Sequence, residues 1–174
     1  MISIKNYSKT NKLQEAAFVK IKNPETGELE FAENGEKVGF ELHSMQSKEF
    51  KRALHKTAHL GLTKKEKERY KSIEDNLNDG VSISENDLDF MDECEEKVAS
   101  RMKRVFAMVT TKLHNIELPA DFAKDHEIAV GKEKDGACPV TLSVENLHKL
   151  YTALPDLSTQ ISNGIATQEN FTKS

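Results

Sequence analysis

The chain has 174 residues, 37% hydrophobic and 31% charged, with 25 Lys+Arg against 29 Asp+Glu and a formal net charge of −4. That length fits one ordinary domain with or without extensions, and the charged fraction exceeds the usual share of about a quarter. The net charge is too small for wholesale disorder and too negative for a protein that coats nucleic acid.

No apolar run approaches the roughly 18–20 residues of a bilayer span. Met1-Ile2-Ser3-Ile4-Lys5-Asn6-Tyr7 lacks the apolar stretch of a secretory signal. Cys94 and Cys138 lie 44 residues apart without a CxxC partner. They could form a disulfide, but a reducing cytosol favours two free thiols.

Residues 1–15 are polar and read as a leader. Ala16-Ala17-Phe18-Val19-Lys20-Ile21-Lys22 alternates over its second half, and Asn23-Pro24-Glu25-Thr26-Gly27 supplies turn chemistry. Leu29-Glu30-Phe31-Ala32 is a short second strand candidate, Asn34-Gly35 a tight-turn signal, and Val38 to His43 a further alternating run. These predict an antiparallel sheet of two or three strands.

The period changes at Ser47-Lys48-Glu49-Phe50, an N-cap signature leading into Phe50, Ala53, Leu54, Thr57 and Ala58 at helical spacing. Gly61 ends that helix. Thr63-Lys64-Lys65-Glu66 is a capping box opening a second helix to about Leu77, and Asn78-Asp79-Gly80 breaks it. Ser84-Glu85-Asn86-Asp87 opens the longest helix, predicted to run to about His114. Along it, residues 79–96 carry eight acids and no bases, and residues 97–104 four bases and no acids. Acid early and base later suits the helix dipole and supports one long helix over two short ones.

Residues 115–142 lose helical periodicity, with Pro119, Gly131, Gly136 and Pro139 marking loops and Glu127-Ile128-Ala129-Val130 a short strand candidate. Ser143-Val144-Glu145-Asn146 caps a helix with Leu147, Leu150 and Tyr151 on one face, ending before Pro155. A second short helix runs from Asp156 to about Gly164, and the residues from Thr167 are polar apart from Phe171.

Few residues suggest chemistry. His55 and His59 stand at i and i+4, a spacing that lets two imidazoles share a metal, but Lys56 occupies the place where zinc proteases need Glu. Asp75 to Gly80 imitates a calcium loop, yet loop position three is Leu77 and position twelve is Asn86, neither a proper ligand. The acids Asp87, Asp89, Asp92, Glu93, Glu95 and Glu96 fit a solvated helix face, a cation-gathering run or a surface for a basic partner. Lys64 to Lys71 interleaves lysines with glutamates, as ion-paired helix surfaces do and nucleic-acid patches do not. Cys94 sits between Glu93 and Glu95, which disfavours a nucleophilic thiolate. With no hydrolase, phosphate-loop or dinucleotide motif, these residues predict neither an enzyme nor a cofactor or metal site.

Two blocks carry a family resemblance. The first is Gly39-Phe40-Glu41-Leu42-His43-Ser44-Met45-Gln46-Ser47-Lys48-Glu49-Phe50-Lys51-Arg52-Ala53-Leu54. The second begins at Val109-Thr110-Thr111-Lys112-Leu113-His114-Asn115-Ile116-Glu117-Leu118. It resumes over residues 140–151 and closes with Leu154-Pro155-Asp156-Leu157-Ser158-Thr159-Gln160-Ile161 and Asn170-Phe171. In this order they resemble the tail assembly chaperones, or minor tail proteins, of long-tailed bacteriophages. The chain departs from that pattern at Lys112 and Asp156, where the family often has Trp.

The resemblance implies a non-enzymatic protein of the host bacterial cytoplasm that binds the tape-measure protein during tail morphogenesis. A structural virion protein and a small regulatory or nucleic-acid-associated protein are the alternatives. A chaperone for a long helical client needs amphipathic helices whose apolar seams can pair with client helices or with copies of itself. Leu88, Met91, Val98, Met102, Val105 and Val109 of the long helix are the predicted contact residues, burial in the monomer's own core being the other reading of each. The expected fold is α+β and mostly helical. It has a leader and small N-terminal sheet (1–46), a helical region with the long helix (47–114) and a loop with a C-terminal helical pair (115–174), together one cooperative domain with extensions.

Overall fold

Alternation around Phe40 and Leu42 places both side chains on one face of a strand, and that face is where the core begins. In the computed structural model, residues 16–167 are described apart from Phe31, Glu33, Asn34, Lys134 and Asp135. The predicted leader, parts of the second strand candidate and of the Asn34-Gly35 turn, and Phe171 lie outside the described residues.

Strand β1 (Ala16–Lys20) pairs antiparallel with β2 (Gly39–His43). In the segment between them Leu29 forms a single bridge to Lys22, and the Glu30 N–H bonds the Ile21 carbonyl at 2.9 Å. Phe40 and Leu42 have no solvent exposure. On the other face, Glu41 meets His114 Nε2 at 2.7 Å, and the Phe18 ring stands edge-on to the His114 ring. Position 39 admits only glycine, because a Cβ there would lie 2.3 Å from the Val19 carbonyl oxygen and under the Phe18 ring.

Helix α1 (Lys48–Lys56) starts where Ser47 Oγ accepts the Phe50 N–H at 3.0 Å, and a 3-10 turn (Ala58–Leu60) follows it. Helix α2 (Lys64–Asn78) has the predicted capping box, with the Thr63 N–H bonded to Glu66 Oε2 at 2.6 Å. Gly80, at φ +73°, makes the turn into α3 (Glu85–Val109), capped by Ser84.

The long helix ends five residues short of the expected His114. Thr110–His114 is instead strand β3, paired antiparallel with β2, so the sheet order is β1-β2-β3 and its third strand comes from beyond the helix. Thr110 and Thr111 are β-branched and favour the extended conformation. The open edge of β2 offers the backbone partners that further helix would otherwise have supplied.

The expected loop of 115–142 holds more structure than its composition suggests. Strands β4 (Glu117–Pro119) and β5 (Ala137–Pro139) pair with each other, and helix α4 (Ala120–Asp125) leads off β4. The strand candidate at Glu127–Val130 does not form. Glu127 takes a left-handed φ of +52°, and only Val130 bridges, to Val140.

Helices α5 (Val144–Ala153) and α6 (Pro155–Ala166) close the fold, the first capped by Ser143 and the second carrying Pro155 in its first turn. Gly164 lets α6 lie on β1, since a Cβ there would come 2.4 Å from Val19 Cγ1. From the same helix Gln160 bonds both the N–H and the carbonyl of Lys22, at 2.7 and 2.8 Å, continuing the edge of β1 with a side-chain amide.

One core cluster draws on all three predicted segments: Val19 and Phe40 from the first, Phe50, Val105 and Val109 from the second, Leu147, Tyr151 and Ile161 from the third. The fold is α+β and mostly helical, with its sheet near the N-terminus, a long central helix and C-terminal helices.

Candidate protein interaction site

A helix can present an apolar stripe to a partner only where its own body leaves that stripe uncovered. Met91, Val98 and Val105 are seven residues apart, close to two full turns, so they lie on one narrow stripe of α3 with Met102 and Val109 beside it. The body covers the C-terminal part of this stripe. Val105 and Val109 have no exposure, and Met102 is half-buried against the core. These two valines are thus core residues of the monomer and are unavailable to a partner while the chain is folded. Farther toward the N-terminus, Val98 is 44% exposed and Met91 half-buried, and Leu88, displaced around the helix from the stripe, is 49% exposed.

The exposed part of α3 is paired with α2 in a helical hairpin. Its internal seam is thin: Ile73 is the buried residue of α2, and in the first half of α3 only Cys94 is buried. Polar contacts stitch the two helices instead. Arg69 pairs with Asp87 at 2.9 Å while its guanidinium carbon lies 4.0 Å above the Phe90 ring. Lys97 bonds Glu66 at 2.9 Å, and the Tyr70 hydroxyl donates to Glu95 at 2.9 Å. The Thr63 backbone N–H and the Lys97 ammonium hold the Glu66 carboxyl down at about 2. The Arg69 guanidinium, then the Ser84 hydroxyl, lower Asp87, and the Tyr70 phenol is raised by its bond to Glu95.

Helix α2 makes its substantial packing contacts with α3 alone among the described elements, so the hairpin forms an arm on the body. Near its end Leu77 and Val81 join Leu88 as large exposed apolar residues. Residues 72–96 carry ten acids and no base. Sequence patterning identified Leu88 and Val98 but not Leu77 or Val81, which fall at a helix end and in a turn where no periodicity operates.

At the root of the arm lies a cleft of about 610 Å³ between α1, α3 and α5. Lys56 and His59 line it from the end of α1 and the 3-10 turn, Lys97, Arg101 and Arg104 from α3, and Glu145 and His148 from α5. Arg101 is fixed by donating to the Leu54 carbonyl at 2.9 Å, and Arg104 by its pair with Glu145 at 2.5 Å. That guanidinium lowers the Glu145 carboxyl. The bases of residues 97–104 were visible as a helix-dipole signal; that the fold brings Lys56 and His148, 92 residues apart in sequence, to the same place was not.

The remaining candidates do not assemble into a site. α1 ends at Lys56, so His55 and His59 do not share an α-helical face, and both are exposed. No group of three or more His, Cys, Asp or Glu able to hold a metal occurs among the described residues. Cys94 and Cys138 are both buried and free. Burial, and then the nearby Glu66, push the Cys94 thiol up, with Glu93 adding to the effect and Lys97 opposing it. No helix among the described residues is long and apolar enough to cross a membrane. Comparison with protein-family models, with characterised proteins and with solved structures finds no match to this chain.

Proposed function

We propose that the chain is a tail assembly chaperone of long-tailed bacteriophages, a non-enzymatic protein that binds the tape-measure protein in the host bacterial cytoplasm while the tail is built. The sequence resemblance suggests the family, and one observation carries the mechanism: the body covers the apolar stripe of α3 from Met102 onward and leaves Val98, with Leu88 nearby, in solvent. A helical client would lay its own apolar face along the arm against Leu88, Met91 and Val98, with Leu77 and Val81 extending the contact at the end. Val105 and Val109 serve by anchoring the arm. The carboxylates around these residues keep the unoccupied surface soluble and favour clients with basic flanks.

Co-expression with a tape-measure protein tests this reading. The client's soluble yield should rise with the wild-type chain and fall back with Leu88→Ser/Val98→Ser, two exposed positions whose replacement leaves the core intact. A well-folded wild-type chain without effect on the client overturns the proposal. In purified phage particles a chaperone should be absent by mass spectrometry, whereas a structural tail protein would be present.

A further inference from the structure

The molecule carries its charge in two separated places. Residues 72–96 of the arm hold ten carboxylates, of which Asp87 alone enters an ion pair among the described residues. The cleft at the arm's root is lined by Lys56, Lys97, Arg101 and Arg104 against the single carboxylate of Glu145, net +3 with His59 and His148 neutral. Lys56 and His59 have no ion-pair partner among the described residues, and both are exposed.

One copy satisfies this complementarity only in part: Lys97 pairs with Glu66 and Arg104 with Glu145, while Lys56 and Arg101 enter no ion pair among the described residues. α3 is a single helix from Glu85 to Val109, so Glu85 stands roughly 24 Å along the axis from Arg101 at about 1.5 Å per residue. The arm therefore points away from its own cleft, and the distal carboxylates cannot fold back without breaking the helix. The cleft is also wide enough, at about 610 Å³, to take the side chains of a helical turn rather than a single ion.

We propose that the acidic arm of one copy docks in the basic cleft of a second copy, so that the chain self-associates through charge. The incoming arm brings Asp89 and Asp92 from α3 and Asp75 from α2, all exposed and without ion pairs among the described residues. They meet Lys56 and the guanidinium groups of Arg101 and Arg104, which their contacts to Leu54 and Glu145 already hold in place. The apolar part of the cleft, Leu60 and Met108, receives the aliphatic part of the arm. The two surfaces differ, so the contact is heterologous and leaves each copy with one arm and one cleft to offer. It stands on charge and shape alone and holds whatever the client is.

Sedimentation equilibrium of the purified chain tests the proposal. The weight-average mass should rise with protein concentration in about 50 mM salt, and the association constant should fall by about tenfold or more on going to about 500 mM, where exposed charges are screened. Two variants, each checked for wild-type circular dichroism, give the decisive comparison. Lys56→Glu/His59→Glu/Ser100→Glu takes the cleft from +3 to −1; Asp75→Lys/Asp89→Lys/Asp92→Lys/Glu96→Lys takes residues 72–96 from −10 to −2. Each alone should stay monomeric. Mixed in equal amounts they should associate again, because the first retains a wild-type arm and the second a wild-type cleft. A wild-type chain that stays monomeric at low salt, or variants that associate unaided, overturns the proposal. So does a monomeric wild type that binds a single-stranded oligonucleotide through the same cleft residues, which would assign the cleft to nucleic acid.

Discussion

A hydroxyl has one proton, and at Thr110 that fact decides how the core's largest polar side chain is held. Thr110 Oγ1 donates to the Phe106 carbonyl at 2.9 Å, so the proton shared with Tyr151, also at 2.9 Å, belongs to the tyrosine. Tyr151 has no exposure, and burial raises its phenol well above the ordinary value. Tyr151→Phe leaves Thr110 bonded to Phe106 and should cost about 0.5–1.5 kcal/mol, whereas Thr110→Val strands the buried Tyr151 hydroxyl and should cost about 1–3 kcal/mol. Urea denaturation of the two variants checks the order. Neither partner was legible as half of a pair, because they lie 41 residues apart and no sequence pattern links them. Local signals fared better: Ser47, Thr63 with Glu66, Ser84 and Ser143 all cap the helices that their spacing announced. Asn146 falls between these cases. Its place in the first turn of α5 was plain, but its side chain holds the N–H and carbonyl of Ala129 and the carbonyl of Thr141, at 2.5, 2.7 and 2.7 Å, and only the folded chain reveals that clamp.

Among the elements, α3 and β3 show where periodicity fails. Leu113 continues the apolar spacing of α3, so counting alone runs the helix to His114; the competing force is the unpaired edge of β2, which lies about 70 residues earlier and is invisible to any local window. The exposed and buried portions of the α3 stripe were likewise indistinguishable, since coverage depends on where α5 happens to lie. The two helices of the α2–α3 hairpin, by contrast, were readable from their caps and the turn between them, and their polar seam makes the hairpin sensitive to acid. Glu66 ordinarily titrates near 4.5 but is held at about 2 in the folded chain, so its stabilising effect is complete above 4.5 and is lost as pH falls toward 2. Asp87, also lowered, adds to the loss. Helical circular dichroism should therefore decline across that window, and Glu66→Gln, which can still cap without a charge, should show a shallower decline.

At the scale of the molecule, a body built on one core cluster carries an arm with little buried surface of its own. Stability should follow that division. In native-state hydrogen exchange the amides of α2 should open at low free energy, while those of α3 from Val105 to Val109 and of α5 from Leu147 to Tyr151 should exchange only with global unfolding. Uniform protection across both groups would show that the arm and body are a single unit. The two share α3, which passes from the arm into the core and then, with no intervening loop, into β3. That continuity makes α3 a lever whose pivot lies in the core. A tilt of about 10° at the root displaces the arm's end by roughly 4 Å over the 24 Å between Arg101 and Glu85. Because Thr110 follows Val109 directly, such a tilt would load the pairing of β3 with β2, so the far end of the arm and the sheet are joined through one helix.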